Sequence, residues 1–495
     1  MALGVASSPL FLLSLIISLL HSTSSSSLHT FRIDQQARWS LDNNFHGFSN
    51  CSLTDITVPS YVLTTLHHNA ILPLLPGVQH TEIDYQWVAQ DTWTYTALWK
   101  YNYSHSITHS FFLLRLLGID GPAEVYLNSH HLGLIANSHR RHTFAIAGSS
   151  LIVSSSTTNN NLTIRIRPSA MHAADQVSQY PYDVPYTQQI GSTGQYNFIR
   201  KAASDFGWDW GPAFAPVGIS KGIEIVAIEK VEEDDEEAVL PFPCLLEDVV
   251  IHQYHHYQHH GTDNSLSSVD IGVDVYCNAL AVPDPLEGDQ LAVVVKIEIE
   301  SPRKKMMMTN NSSNIEYRWE VVYTTKLEKE REVAGLYKAS HADRHLSTQT
   351  ITLPPSSVDC WWPWDLVPPQ APSPANSLYT VTVTITPQNG STGATQAITR
   401  RIGLRSIRLR REPTPSRQGE TFQFEVNGVP VFARGANIVP LQLVPDGGEE
   451  NNENDLAKEL VRSARAANMN MLRAWGGGRY LPGRVIDCLV GCPCY

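Results

Sequence analysis

The sequence predicts a multidomain, mainly β protein: two antiparallel β-sandwiches in series, then the opening of a strand-helix-strand domain. Three observations carry this prediction. From Trp39 to about Ile228, short runs alternate apolar and polar residues between Asn and Gly turns, as in Ala123-Glu124-Val125-Tyr126-Leu127 and Leu162-Thr163-Ile164-Arg165-Ile166. That is the period of strands with one buried face. A second alternating region, from about Glu247 to Leu409, follows an acidic break, and after about Arg411 a helical period takes over between strands. A chain of 495 residues holds three such units, at about 150 residues each.

The elements follow in order. Residues 1–27 read as a signal peptide. Pro9 to Leu20 has the length of an apolar h-region and Ser22 to Ser27 suits cleavage, although Met1 to Ser8 carries no Lys or Arg. The run is shorter than the about 20 residues a membrane span needs. Asn50, Asn102, Asn161, Asn310, Asn311 and Asn389 each open an Asn-x-Ser/Thr glycosylation acceptor, which fits a secretory route to the lysosome, the vacuole or the outside of the cell. The first sandwich occupies residues 28–231. Glu232 to Glu237, followed by Pro241 and Pro243, marks a solvated linker over 232–246.

The second sandwich, 247–410, has strands expected at Val269 to Tyr276, Leu291 to Ile299, Tyr317 to Tyr323 and Tyr379 to Ile385, in the size and spacing of an immunoglobulin-like fold. Trp361 to Pro374 is a long connection within it. His252-Gln253-Tyr254-His255-His256-Tyr257-Gln258-His259-His260 invites a metal reading, since imidazole is a common ligand. No Cys or carboxylate stands at a matching spacing, so the segment reads as a polar loop between strands. No metal or cofactor is expected.

In residues 411–495 a strand pair is expected around Phe422 to Val431, a helix over Asp455 to Asn468 and a strand over Met469 to Trp475. Leu456, Leu460, Val461, Ala464 and Ala467 fall on one helix face, with Asp455 near the N-terminus. Such a unit needs further strands, because an isolated βαβ cannot cover both sides of its sheet.

Composition narrows the partners. Charged residues are only 17% of the chain, and 48 acids against 36 bases leave a formal charge of -12. With no Lys/Arg cluster against that background, nucleic acid is excluded as a natural partner, and no segment offers a membrane anchor. Seven cysteines are too sparse for a disulfide-built scaffold, and an odd number leaves at least one unpaired within the chain.

The segment richest in chemistry is Asp205-Phe206-Gly207-Trp208-Asp209-Trp210-Gly211-Pro212. Glycines permit backbone angles other residues avoid, proline fixes its own φ, and two bulky rings flank a carboxylate. A pyranose has apolar C–H faces for indole to stack on and hydroxyls for a carboxylate to hold. A structural corner would use the same residue types.

Several segments together resemble the β-mannosidases, within the large glycoside hydrolase family that also contains β-galactosidases and β-glucuronidases. They are Gln86 to Tyr95, Val125 to Asn128, Phe198 to Lys201, Phe206 to Pro212, Val426 to Phe432 and Asn468 to Gly478, in the family's order and spread over most of the chain. The resemblance implies a jelly-roll sugar-binding domain, an immunoglobulin-like β-sandwich and the first part of a (β/α)8 barrel. It implies that Asp209 holds sugar hydroxyls while Trp208 and Trp210 shape the pocket wall. Arg434 to Asn437 looks like the end of barrel strand one, and Leu472 to Gly478 like the end of strand two, the ends where barrel enzymes place their chemistry. Arg473 is thus a candidate sugar ligand, or else an ion pair between strands, and Trp475 a second pocket wall or a core residue.

The implied substrate is a β-mannoside oligosaccharide, and the implied activity is retaining removal of terminal β-mannose. Retention uses two carboxylates about 5–5.5 Å apart. The family's two glutamates come from later strands, and this sequence has no counterpart for either. A barrel takes about 250 residues, and the resemblance fades after Leu481, where Cys488, Cys492 and Cys494 cluster. No catalytic residue is therefore assigned, and the chain alone is expected to be inactive. Two alternatives stand beside this reading: a noncatalytic carbohydrate-binding or interaction protein, and a hydrolase of the same family acting on β-galactosides or β-glucuronides.

Overall fold

The computed structural model describes residues 28–43, 51–101, 110–146, 148–152, 159–185, 194–229, 244–260, 263–279, 292–302, 318–326, 344–387, 395–416, 418–445 and 451–480. The apolar leader, the acidic run Glu232 to Glu237, the tail after Tyr480, and the acceptors Asn50, Asn102, Asn310, Asn311 and Asn389 lie outside the described residues.

The first sandwich has two antiparallel sheets. One holds Leu28–Arg32, Ile223–Glu229, Ser110–Leu116 and His142–Ile146 in that spatial order. The other holds Ser52–Ile56, Arg38–Asp42, Trp93–Trp99, Asn160–Ile166, Ala123–Leu127 and His130–Ile135. Strand Trp93–Trp99 shows how the alternation becomes a core. Trp93, Tyr95, Ala97 and Trp99 are buried, while Leu98 between them is 42% exposed. Burying such a side chain contributes roughly 1.5–3 kcal/mol. The polar tips find partners: Trp93 Nε1 donates to the Val88 carbonyl at 2.9 Å, and the Tyr95 hydroxyl to the Ser60 carbonyl at 3.1 Å. A small third sheet of Ser60–Tyr61, Gly218–Ile219 and Ile119–Asp120 registers Tyr61 and Asp120 on either side of Gly218.

The second sandwich packs a three-stranded sheet, Cys244–His260, Asp263–Ala279 and Arg344–Leu353, on a four-stranded one, Arg318–Lys326, Ala292–Glu300, Leu378–Pro387 and Gln396–Gly403. Val269, Ile271, Val273 and Val275 face Val295, Ile297, Val381 and Val383 in one apolar cluster.

The histidine-rich segment is not a loop. It forms the outer half of strand Cys244–His260, paired with Asp263–Ala279. Its inward positions are polar, which hides the alternation. Gln253 reaches the Gly403 carbonyl and the Arg405 amide, each at 3.2 Å, and Tyr257 bonds Ser406 Oγ at 2.7 Å. On the exposed face His252 and His256 meet Asp274 and Asp270 across the strand pair at 2.9 and 2.8 Å.

Glu247 joins the two sandwiches. Its side chain is 1% exposed, and its carboxylate lies 2.9 Å from Arg141 and 3.4 Å from Arg115, both on the first sandwich.

Beyond them, Gln423–Val426 and Val429–Val431 form a hairpin around Asn427 and Gly428, both at positive φ as a tight Asn-Gly turn requires. The hairpin pairs back onto Ile407–Arg410. A parallel pair then follows, Gly435–Ile438 with Met471–Ala474, crossed by the helix Asn451–Ala466. The helix ends two residues before its expected limit, where Asn468 turns to φ 61. Its expected apolar face is only partly covered. Leu460 is 47% exposed and Ala467 is exposed, whereas Ala457, off that set, is buried.

Two surfaces grip this unit. At the beginnings of its strands, Trp364 Nε1 donates to the Met469 carbonyl at 3.0 Å, and Asp365 accepts from Arg434 at 2.6 Å and from Asn470 at 2.9 Å. At their far ends it meets the first sandwich, whose core cluster takes in Val444 and packs against Leu443. Among the described residues no helix is long and apolar enough to cross a membrane.

Candidate functional site

The site grows from a single helical turn, Ala203–Phe206, that ends at Gly207. Phe206 is completely buried and anchors the turn. Gly207 takes φ 95, and a Cβ there would lie 3.1 Å from that of Ala213, so both backbone angle and space favour glycine. The chain then reverses in a tight hairpin. The Trp208 amide donates to the Gly211 carbonyl at 2.9 Å and the Gly211 amide to the Trp208 carbonyl at 3.2 Å, leaving Asp209 and Trp210 at the tip. Gly211 needs no unusual φ; Leu443 sits above it instead.

The hairpin closes on the end of the second parallel strand. Trp208 and Trp210 both meet Trp475 edge-on, with ring centroids 4.9 and 5.3 Å apart, and Tyr196 backs Trp208 at 5.8 Å. The Trp475 ring lies over Gly477, where a Cβ would collide with it. The Ser204 amide donates to the Gly477 carbonyl at 3.0 Å, adding a main-chain tie across the same seam.

Three of the sequence-predicted residues, Trp208, Trp210 and Trp475, are thus brought together. Asp209, between the two rings, is exposed and has no side-chain partner among the described residues. Arg473 is exposed two residues before Trp475, and its Nη1 donates to Asn437 Oδ1 on the neighbouring strand at 3.2 Å. That contact is a hydrogen bond from the guanidinium to a neutral amide, not an ion pair between strands. Asn161 lies half-buried on the strand Asn160–Ile166, its side-chain oxygen accepting from Thr163 Oγ1 at 3.0 Å.

Under the hairpin lies a buried charge cluster that the sequence reading did not identify. Lys201 is fully enclosed, its Nζ 2.5 Å from Asp120 Oδ1 and 2.6 Å from Asp205 Oδ2. Arg479, just past the glycine triplet, donates from Nη2 to Asp205 Oδ1 at 2.6 Å and approaches Asp120 with Nε at 3.9 Å. The Tyr61 hydroxyl donates to Asp120 Oδ2 at 2.9 Å. Two cations and two anions balance, which is how charges survive burial. Burial alone would push the Asp120 carboxyl up, but Lys201 and then Arg479 outweigh it and hold it below the usual carboxylate range. Burial, reinforced by Asp120, raises the Tyr61 phenol well above its ordinary value. The available signal was Lys201 and Asp205 one helical turn apart beside the aromatic motif; nothing local pointed to Arg479.

A narrow crevice runs along the seam, with Asp205, Trp210 and Phe214 on one side and Pro440, Leu443 and Arg479 on the other. Asp209, Arg473 and Trp475 do not line it, so it is the joint between units and not the polar face of the site. Among the described residues no group of three or more His, Cys, Asp or Glu side chains could hold a metal ion.

Residues 37–221 match the family described as glycosyl hydrolase 2 galactose-binding domain-like. β-Mannosidase of Rattus norvegicus is 25% identical over 429 residues, 86% of this chain and 40% of that protein. β-Mannosidase A of Emericella nidulans is 26% identical over 456 residues, 88% of this chain and 42% of its own length. Among solved structures, β-D-mannosidase from Dictyoglomus thermophilum superposes with a TM-score of 0.64 at 22% identity, over 94% of this chain and 46% of that one. Residues 37–221 are thus similar to a glycosyl hydrolase 2 galactose-binding domain, and the chain is similar to β-mannosidases over most of its length. It spans about two fifths of the curated relatives it matches.

Proposed function

We propose that this chain forms the sugar-recognition part of a β-mannosidase-type retaining glycoside hydrolase, which removes terminal β-D-mannose from the non-reducing ends of oligosaccharides or N-glycan fragments. The observation that carries the reading is the meeting of Trp208 and Trp210 with Trp475, beside the exposed carboxylate of Asp209. Indole faces take the apolar side of a pyranose, and a carboxylate takes its hydroxyls with charge-assisted hydrogen bonds. Arg473 presents a planar fork of donors to sugar oxygens nearby. The names of the relatives favour mannose over galactose or glucuronate. The apolar leader and the glycosylation acceptors support a secretory destination.

The test is a tryptophan-fluorescence titration of the expressed chain with methyl β-D-mannoside, methyl β-D-galactoside and methyl β-D-glucuronide. A saturable response strongest for the mannoside supports the reading. A stronger response to another sugar moves the specificity, and no response to any overturns the assignment.

A further inference from the structure

Arg479 touches no candidate sugar contact, yet everything it holds lies behind one. Its guanidinium works in three directions: Nη2 donates to Asp205 Oδ1 at 2.6 Å, Nη1 donates to the Gln442 carbonyl at 3.2 Å, and its plane lies over the Tyr61 ring at 5.9 Å. Asp205 belongs to the turn that leads directly into Gly207 and Trp208. Gln442 belongs to the connection between the parallel strands, and Tyr61 to the first sandwich. Arg479 thus ties the root of the aromatic hairpin to the unit that carries Arg473 and Trp475. The Ser204–Gly477 main-chain bond and the Trp208–Trp475 contact join the same two segments, so the three ties form one seam.

We propose that Arg479 is a positioning residue for sugar recognition: by holding Asp205 it sets the Trp208-Asp209-Trp210 hairpin against Trp475, so that Asp209 and Arg473 face one sugar. The proposal rests on the reading given under Proposed function. Its chemistry requires arginine. A lysine keeps the charge but is a point donor on a flexible stem and cannot address a carboxylate, a carbonyl and a ring at once.

The full chain carrying Arg479→Lys, Arg479→Met or Asp209→Ala is compared with wild type by near-ultraviolet circular dichroism and by the mannoside titration. Close, fixed indoles give a strong near-ultraviolet signal, so the dichroism reports the Trp208–Trp475–Trp210 packing without any sugar. Arg479→Lys is expected to lose much of that signal and to weaken mannoside binding about tenfold or more, the loss expected when a ligand contact is misplaced. Asp209→Ala is expected to weaken binding while keeping the signal. Arg479→Met, which also breaks the buried charge balance, reports the stability effect, and thermal melting of Arg479→Lys near the wild-type midpoint separates position from folding. Wild-type dichroism in Arg479→Lys overturns the proposal, as does wild-type affinity in that variant. A wild-type chain that answers to none of the sugars overturns the function reading on which the proposal stands, which is a different result from either.

Discussion

Replacing Lys201 by methionine tests the buried cluster most directly. Methionine keeps the length and most of the apolar stem, so the change removes the ammonium and little packing. Two carboxylates, 2.5 and 2.6 Å from that ammonium, would then depend on the neutral Tyr61 hydroxyl, 2.9 Å from Asp120, and on Arg479, which contacts Asp205 closely and Asp120 only at 3.9 Å. Breaking a buried pair by removing one partner costs about 3–5 kcal/mol. For a domain of this size that lowers the melting midpoint by roughly 6–20 °C. The assay is thermal and urea unfolding of the full chain followed by tryptophan fluorescence, repeated from pH 7 down to pH 3. The pH dependence has a definite sign. The folded carboxyl of Asp120 is held below its unfolded value, so its contribution to stability is present above about pH 4 and lost as pH falls through the lower folded value. The methionine variant lacks the main cause of that depression, so the gap between variant and wild type should narrow on acidification. Pairing Lys201→Met with Asp120→Asn should restore part of the loss, because the two sites are in contact and their effects do not add. A loss below about 1 kcal/mol, or a gap that stays constant from pH 7 to pH 3, would refute the electrostatic account.

Further outcomes follow from other sites. Asp209→Ala should weaken mannoside binding about 10- to 150-fold, the worth of a hydrogen bond to a charged group, while shifting stability by less than about 0.5 kcal/mol as an exposed change; isothermal titration and melting read the two effects. Gly207→Ala forces a side chain onto φ 95 against Ala213 and should cost about 1–3 kcal/mol in unfolding. Glu247→Ala removes the buried carboxylate shared by Arg141 and Arg115, but Arg115 keeps Glu224 at 3.0 Å and Arg141 is 34% exposed, so the cost should be about 1–3 kcal/mol. Arg38→Ala breaks an exposed pair with Asp55 at 81% and 61% side-chain exposure and should cost no more than about 1 kcal/mol.

How legible each element was in the sequence depended on whether its stabilising partners were local. Strand Ala123–Leu127 has the bounds that its alternation predicts, because its buried face is Ala123, Val125 and Leu127 with no exception. The histidine-rich strand failed the same test because Gln253 and Tyr257 face inward, satisfied by residues around 403–406 that no local window contains. The aromatic hairpin was legible as a unit through its glycines and rings, and Trp475 through the family pattern. Lys201 and Asp205 stood in view without a stated role. Arg479 was out of reach, since its value lies in partners at positions 61, 205 and 442 that only the fold brings together.

The bond from Arg479 to Asp205 spans 274 positions of sequence, and that separation has a consequence for biosynthesis. At about 5–20 residues per second the ribosome needs roughly 15–55 s to cover it. The first sandwich, complete long before, can fold around its own core during that interval, while Lys201 already neutralises one of the two carboxylates. The second cation and Trp475 arrive only with the strand-helix-strand unit. The aromatic hairpin is therefore the last part of the first sandwich to be completed, and its two indoles, Trp208 and Trp210, wait roughly 15–55 s for the Trp475 ring that covers them.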